Sequence, residues 1–176
     1  MRQIKKNALV WILGLVAVAS AAAAAEPTFA DRLEMLDWSD PERAVQLIDA
    51  MPTPVEKRAH EVQMLEIRGM VYADVHRDLD VDATIARLQM IAQQGDKSAI
   101  LAEHYVRAYS LYQRNRFAAV SAELSHVDME SITTDAERYR VSILRGNTLR
   151  MLGRAEAALP LLEQALDLAH EMHDDT

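Results

Sequence analysis

Tyr105, Tyr109 and Tyr112 are spaced four and three residues apart, which puts their rings on one face of a helix. Each ring has an apolar body and a polar tip, the chemistry of a surface that holds a protein or peptide. The same stripe also suits packing between neighbouring helices, and the residues alone leave both uses open. Asp74, Asp78, Asp80 and Asp82 crowd one stretch and invite a calcium loop. Such a loop needs Gly at its sixth place and a bidentate Glu at its twelfth. Counted from Asp74 these places hold Leu79 and Ile85, and counted from Asp78 they hold Ala83 and Gln89. The stretch is therefore expected to be an acidic connection in which Asp80 or Asp82 caps the next helix. His170 and His173, with Glu171 and Asp174 beside them, could share a metal, but a third ligand is not apparent. A helix C-terminus favours His through its dipole instead. No metal, cofactor or catalytic residue is expected. The five glycines are too scattered for a phosphate loop, and neither a Gly-x-Ser-x-Gly nor a His-Glu-x-x-His string occurs. With no Cys there is no thiolate chemistry and no disulfide framework.

The elements that must position these side chains are helices. Half of the 176 residues are hydrophobic, while Gly and Pro number only 5 each. Few breakers and many Ala, Leu, Glu and Arg favour an all-α chain over a barrel, a sandwich or a disordered tail. Asp plus Glu outnumber Lys plus Arg by 27 to 19, so a nucleic-acid partner, which needs a basic stripe, is not expected. Between breaks at Met51-Pro52-Thr53-Pro54, Asp78–Asp82, Gly95–Ser98, Asn115-Arg116, Ser131–Asp135 and Gly153-Arg154, the apolar spacing is helical. It predicts eight helices over about 28–37, 40–51, 54–75, 82–94, 97–114, 116–127, 134–152 and 154–173.

The first 25 residues read differently. Arg2, Lys5 and Lys6 precede the uncharged run Ala8–Ala25, which ends in five alanines before Glu26. Basic start, apolar middle and small-residue exit are the anatomy of a secretory signal peptide. Cleavage is expected after Ala25, with Ala21 as the second choice, giving a leader at 1–25, one domain at 26–176 and a periplasmic or secreted location. The alternative is an uncleaved anchor, since 18 apolar residues approach the length of a span. A membrane contact is expected only then, or if the chain is a fragment. Without residues 1–25 the chain keeps 16 basic and 27 acidic side chains, a net charge of −11.

The predicted helices pair, and the pairs repeat. Each second helix carries a small or slim residue, an apolar one four later and another three beyond: Ala44, Ile48, Met51; Thr84, Leu88, Ile91; Val120, Leu124, Val127; Ala158, Leu162, Ala165. The first members lie 40, 36 and 38 residues apart. Gly69, Ala108 and Gly146 repeat in the first helices at 39 and 38. Periods of about 20–50 residues mark solenoids. Small residues let neighbouring helices approach closely, and bulk at Gly146 is expected to force the last two pairs apart.

Gly146-Asn147-Thr148-Leu149, Leu152-Gly153-Arg154 and the run Ala158–Leu166 resemble the tetratricopeptide repeat (TPR) family. Leu149 and Leu162 stand where aromatic residues are usual, and the period exceeds the family's roughly 34 residues. The resemblance covers about residues 36–173. It implies an α-solenoid of about four helical hairpins wound into a right-handed superhelix, with the first helices lining a concave groove. Family geometry would place Met70, Tyr105, Tyr109, Tyr112, Asn147 and Arg150 towards that groove. The implied function is an exported, non-enzymatic scaffold that binds a protein or peptide. Asn147 and Arg150 alone do not make the family's carboxylate clamp. A second resemblance joins the leader, Ser39–Ala44, the repeats and Leu168–Asp174. It is to the exported TPR-like front of some bacterial sensors that carry a GGDEF diguanylate cyclase domain. It implies the alternative of a truncated sensory portion of such a membrane-bound enzyme. No GGDEF string and no second apolar span follow residue 26.

Overall fold

The computed structural model describes residues 40–50 and 58–174. The leader at 1–25, the expected helix at 28–37 and Met51 lie outside the described residues. Among the described residues seven α-helices follow one another: α1 (Pro41–Ala50), α2 (Arg58–Asp74), α3 (Asp78–Ala92), α4 (Lys97–Gln113), α5 (Phe117–Leu124), α6 (Asp135–Met151) and α7 (Ala155–Asp174). A 3-10 turn at Met129–Ser131 precedes α6. No strand occurs among the described residues. The described part of the chain is all-α, as its composition implies.

Polar side chains start several helices where the first N–H groups lack partners. The Arg43 N–H donates to the Asp40 carboxylate at 3.1 Å, and the Ala99 N–H donates to Asp96 at 3.0 Å. At α6 the Glu137 N–H donates to Thr134 Oγ1, whose hydroxyl donates to the Glu137 carboxylate at 2.8 Å. α3 departs from expectation. It begins at Asp78, and the residue before it, Arg77, makes no side-chain cap. Asp78 and Asp80 lie inside its first turn, where a carboxylate is favoured by the helix dipole.

Three turns share one construction. His76 and Asn115, both at φ 58°, and Gly153 at φ 76° take the left-handed conformation. The next residues, Arg77, Arg116 and Arg154, donate their backbone N–H to the carbonyls of Tyr72, Leu111 and Leu149, each at 2.9 Å. This 6→1 bond closes the helix end as a Schellman motif. The carbonyls of the same three arginines then accept from Val81, Val120 and Ala158, each at 3.1 Å, and open the next helix. Gly153 suits its place because the left-handed region costs nothing without a Cβ.

Every described member of the four repeated triplets is buried except Leu162, which is half-buried. α2 packs on α1, α3 and α4, α4 also on α5 and α6, and α6 also on α5 and α7. Glycines mark two close approaches. A Cβ at Gly69 would run into Val106 of α4, and one at Gly146 would come within 2.6 Å of Leu162 in α7. Gly146 thus faces its own hairpin partner, not the preceding pair as the sequence reading expected. The helix expected over 116–127 is shorter, because α5 ends at Leu124. Arg145 reaches across from α6 and donates to the carbonyls of Leu124 and Val127, both at 2.6 Å, satisfying the backbone where the helix stops.

Candidate functional site: the face of α2, α4 and α6

The tyrosine stripe lies on α4, between α2 and α6. Tyr105 and Tyr109 stack with centroids 6.3 Å apart. They are only 3% and 5% exposed. The Tyr109 hydroxyl donates to Asp74 Oδ1 of α2 at 2.9 Å, and Gln113 Nε2 donates to the same oxygen at 2.6 Å. Burial pushes the Asp74 carboxyl up to about 6, partly offset by the Tyr109 hydrogen bond. Burial likewise raises the phenols of Tyr105 and Tyr109.

A second polar group sits beside Tyr105. Arg140 of α6 pairs with Glu66 of α2, both buried, although 74 positions separate them. The Arg140 guanidinium also lies 5.4 Å from the Tyr105 ring centroid, within cation–π range. Burial raises the Glu66 carboxyl against the pull of Arg140. A buried ion pair needs good geometry to offset its desolvation, and the ring beneath the guanidinium contributes to that.

Of the six residues the resemblance selects, Met70, Tyr105 and Tyr109 are buried, Tyr112 and Asn147 are half-buried, and Arg150 is exposed. Tyr112 meets Phe117 edge-on, with centroids 5.4 Å apart. Arg150 Nε and Nη2 each donate to Asn147 Oδ1 at 3.4 Å. Asn115, Arg116, Phe117, Ala118, Ala119 and Leu152 line a shallow, open hollow of about 390 Å³. The structure therefore joins Tyr105 and Tyr109 into one buried column. Tyr112 stands beside the hollow through Phe117, and Asn147 and Arg150 form a separate pair on α6.

Glu66, Asp74, Gln113 and Arg140 were missed. A signal for three of them exists: Glu66, Met70 and Asp74 precede Tyr105, Tyr109 and Gln113 by 39 residues each. Glu66 thus holds the Tyr105 place and Asp74 the Gln113 place 39 residues earlier, and Asp74 there meets the Tyr109 hydroxyl and the Gln113 amide. Arg140 follows Tyr105 by 35, outside that register.

Asp78 and Asp80 of the 74–82 stretch have structural partners. Asp78 accepts from Arg114 at 2.7 Å. Asp80 accepts from Arg77, which also donates to Asp49 at 2.8 Å while the Tyr72 hydroxyl donates to Asp49 at 2.6 Å. These bonds tie α1 to the α2–α3 turn. On the α4–α5 side, His104 Nδ1 lies 2.7 Å from Glu123 and its ring stacks on His126 at 5.7 Å. Among the described residues no group of three or more His, Asp or Glu side chains is placed to hold a metal ion. No described helix is long and apolar enough to cross a membrane.

No protein-family model, curated protein or solved structure matches the chain.

Proposed function

We propose that the chain is an exported, non-enzymatic helical scaffold of the tetratricopeptide type, a short right-handed stack of hairpins whose first helices bind a protein or peptide. The observation that carries this reading is the recurrent hairpin. Three identical turns close at Arg77, Arg116 and Arg154, spaced 39 and 38 residues apart, and α4 packs on both α2 and α6. Such units bury a continuous core only by stacking. The leader directs export, with cleavage after Ala25 and a periplasmic or secreted destination.

Within this reading the partner touches Tyr112, Asn147 and Arg150, while Met70, Tyr105 and Tyr109 support them from beneath. Aromatic and Arg side chains dominate binding energy where a partner packs on them and excludes water. A photo-crosslinking side chain placed at Tyr112 or Arg150 in cells should give discrete covalent products that the same group at Ala83, exposed on α3, does not give. Equal products from all three positions would refute the assignment of this face.

A further inference from the structure

The outer face of α7 carries chemistry that the α2–α4–α6 face does not use. Ala155, Leu159, Leu162, Leu166 and Ala169 follow at alternating steps of four and three. That is the seam of a helix meant to pack against another helix. Leu162 and Ala169 are half-buried on the inner side of this seam, where Leu162 covers Gly146. Leu159 and Leu166 stand 56% and 55% exposed, one heptad apart, with nothing described upon them. Glu156, Glu163 and Asp167 run along the outer edge of the same seam, all exposed. Residues 155–174 contain no Lys and no Arg.

This charge pattern selects the occupant. An antiparallel pairing of two α7 helices would set the acidic edge against its own copy. A parallel pairing would bring up no cation, since α7 has none. The segment 26–39, with Glu26, Asp31, Glu34 and Asp37 against one Arg32, is itself acidic. Like charges along a helix pair oppose association. We propose that the exposed seam of α7 is a docking surface for a basic amphipathic helix of another protein. Its apolar residues interlock with Leu159 and Leu166, and its Lys or Arg side chains lie along Glu156, Glu163 and Asp167. The surface is separate from the face of the first helices and stands whether or not that face binds a peptide.

The test uses the full chain and two synthetic helices with the same leucine seam, one flanked by Lys and one by Glu. The Lys-flanked helix should bind the wild type and the Glu-flanked helix should not. Leu159→Ser with Leu166→Ser, both at exposed positions, should weaken binding about tenfold or more. Glu156→Gln, Glu163→Gln and Asp167→Asn together should weaken it and remove its dependence on salt. Circular dichroism checks that each variant keeps its helix content. Equal binding by the leucine variant would show charge alone at work and overturn the proposal. Equal binding of both synthetic helices would overturn it too. Sedimentation of the wild type as a dimer that the leucine variant loses would assign the seam to a second copy instead.

Discussion

Asp74→Asn should flatten the pH dependence of stability between pH 7 and pH 5. Asp74 has an ordinary value of 3.8 and is held at about 6 in the folded chain, chiefly by burial. The folded state therefore binds a proton across a window in which the unfolded state has lost it. The resulting stabilisation is complete below about pH 3.8 and is lost as the pH rises through about 6. In full, the gap corresponds to about 3 kcal/mol. Between pH 7 and pH 5, linkage gives about 1.3 kcal/mol of it, a rise of about 3–5 °C in the melting temperature of a domain this size. Asn keeps an oxygen to accept from Tyr109 and Gln113 but cannot titrate. Every other titrating group is common to both proteins and cancels in the difference. Glu66, also raised by burial, adds to the acid-side gain of both. The assay is urea unfolding followed by far-UV circular dichroism at pH 7, 6 and 5. The wild type should gain about 1.3 kcal/mol more than Asp74→Asn on acidification. Parallel slopes for the two proteins would refute the buried, charged Asp74 on which the reasoning rests.

Gly146→Leu should cost about 1–3 kcal/mol by overpacking. Because the collision is with Leu162, hydrogen exchange should quicken in α7 while α2 and α3 stay protected; uniform loss would refute that placement. Arg140→Met alone should destabilise by about 3–5 kcal/mol, because it strands the buried Glu66 carboxylate. Adding Glu66→Met should recover most of that in a thermal melt, and additive losses would deny the pair.

Much of this fold is legible because it rests on local chemistry. The helical spacing, the small residues at Gly69 and Gly146 and the breakers Asn115 and Gly153 all act within a turn or between adjacent helices. The triplets Thr84, Leu88, Ile91 and Val120, Leu124, Val127 are buried because period alone fixes the inward face of a helix. The start of α3 was misplaced for a comparable reason. The left-handed residue there is His76, whose type announces φ > 0 far more weakly than Gly153 does. The early end of α5 was hidden because the group that completes it, Arg145, comes from the next hairpin. The candidate face was half legible. Spacing put three tyrosines on one side of α4, but which of them is covered depends on Glu66 and Arg140 meeting across 74 positions.

That meeting constrains any function of the first helices. Glu66 and Arg140 join α2 to α6 across Tyr105, while Asp74 joins α2 to α4 at Tyr109. A ligand seeking the two buried rings would have to separate an ion pair already desolvated and leave one charge without its partner, which is costly in a dry site. It would also have to strip two donors from Asp74. Contacts made at Tyr112, Asn147 and Arg150 require neither. In the proposed scaffold the acidic residues of α2 would therefore act on binding indirectly. They fix the column of rings beneath the surface, and recognition would fall to side chains that reach solvent at the C-terminal halves of α4 and α6.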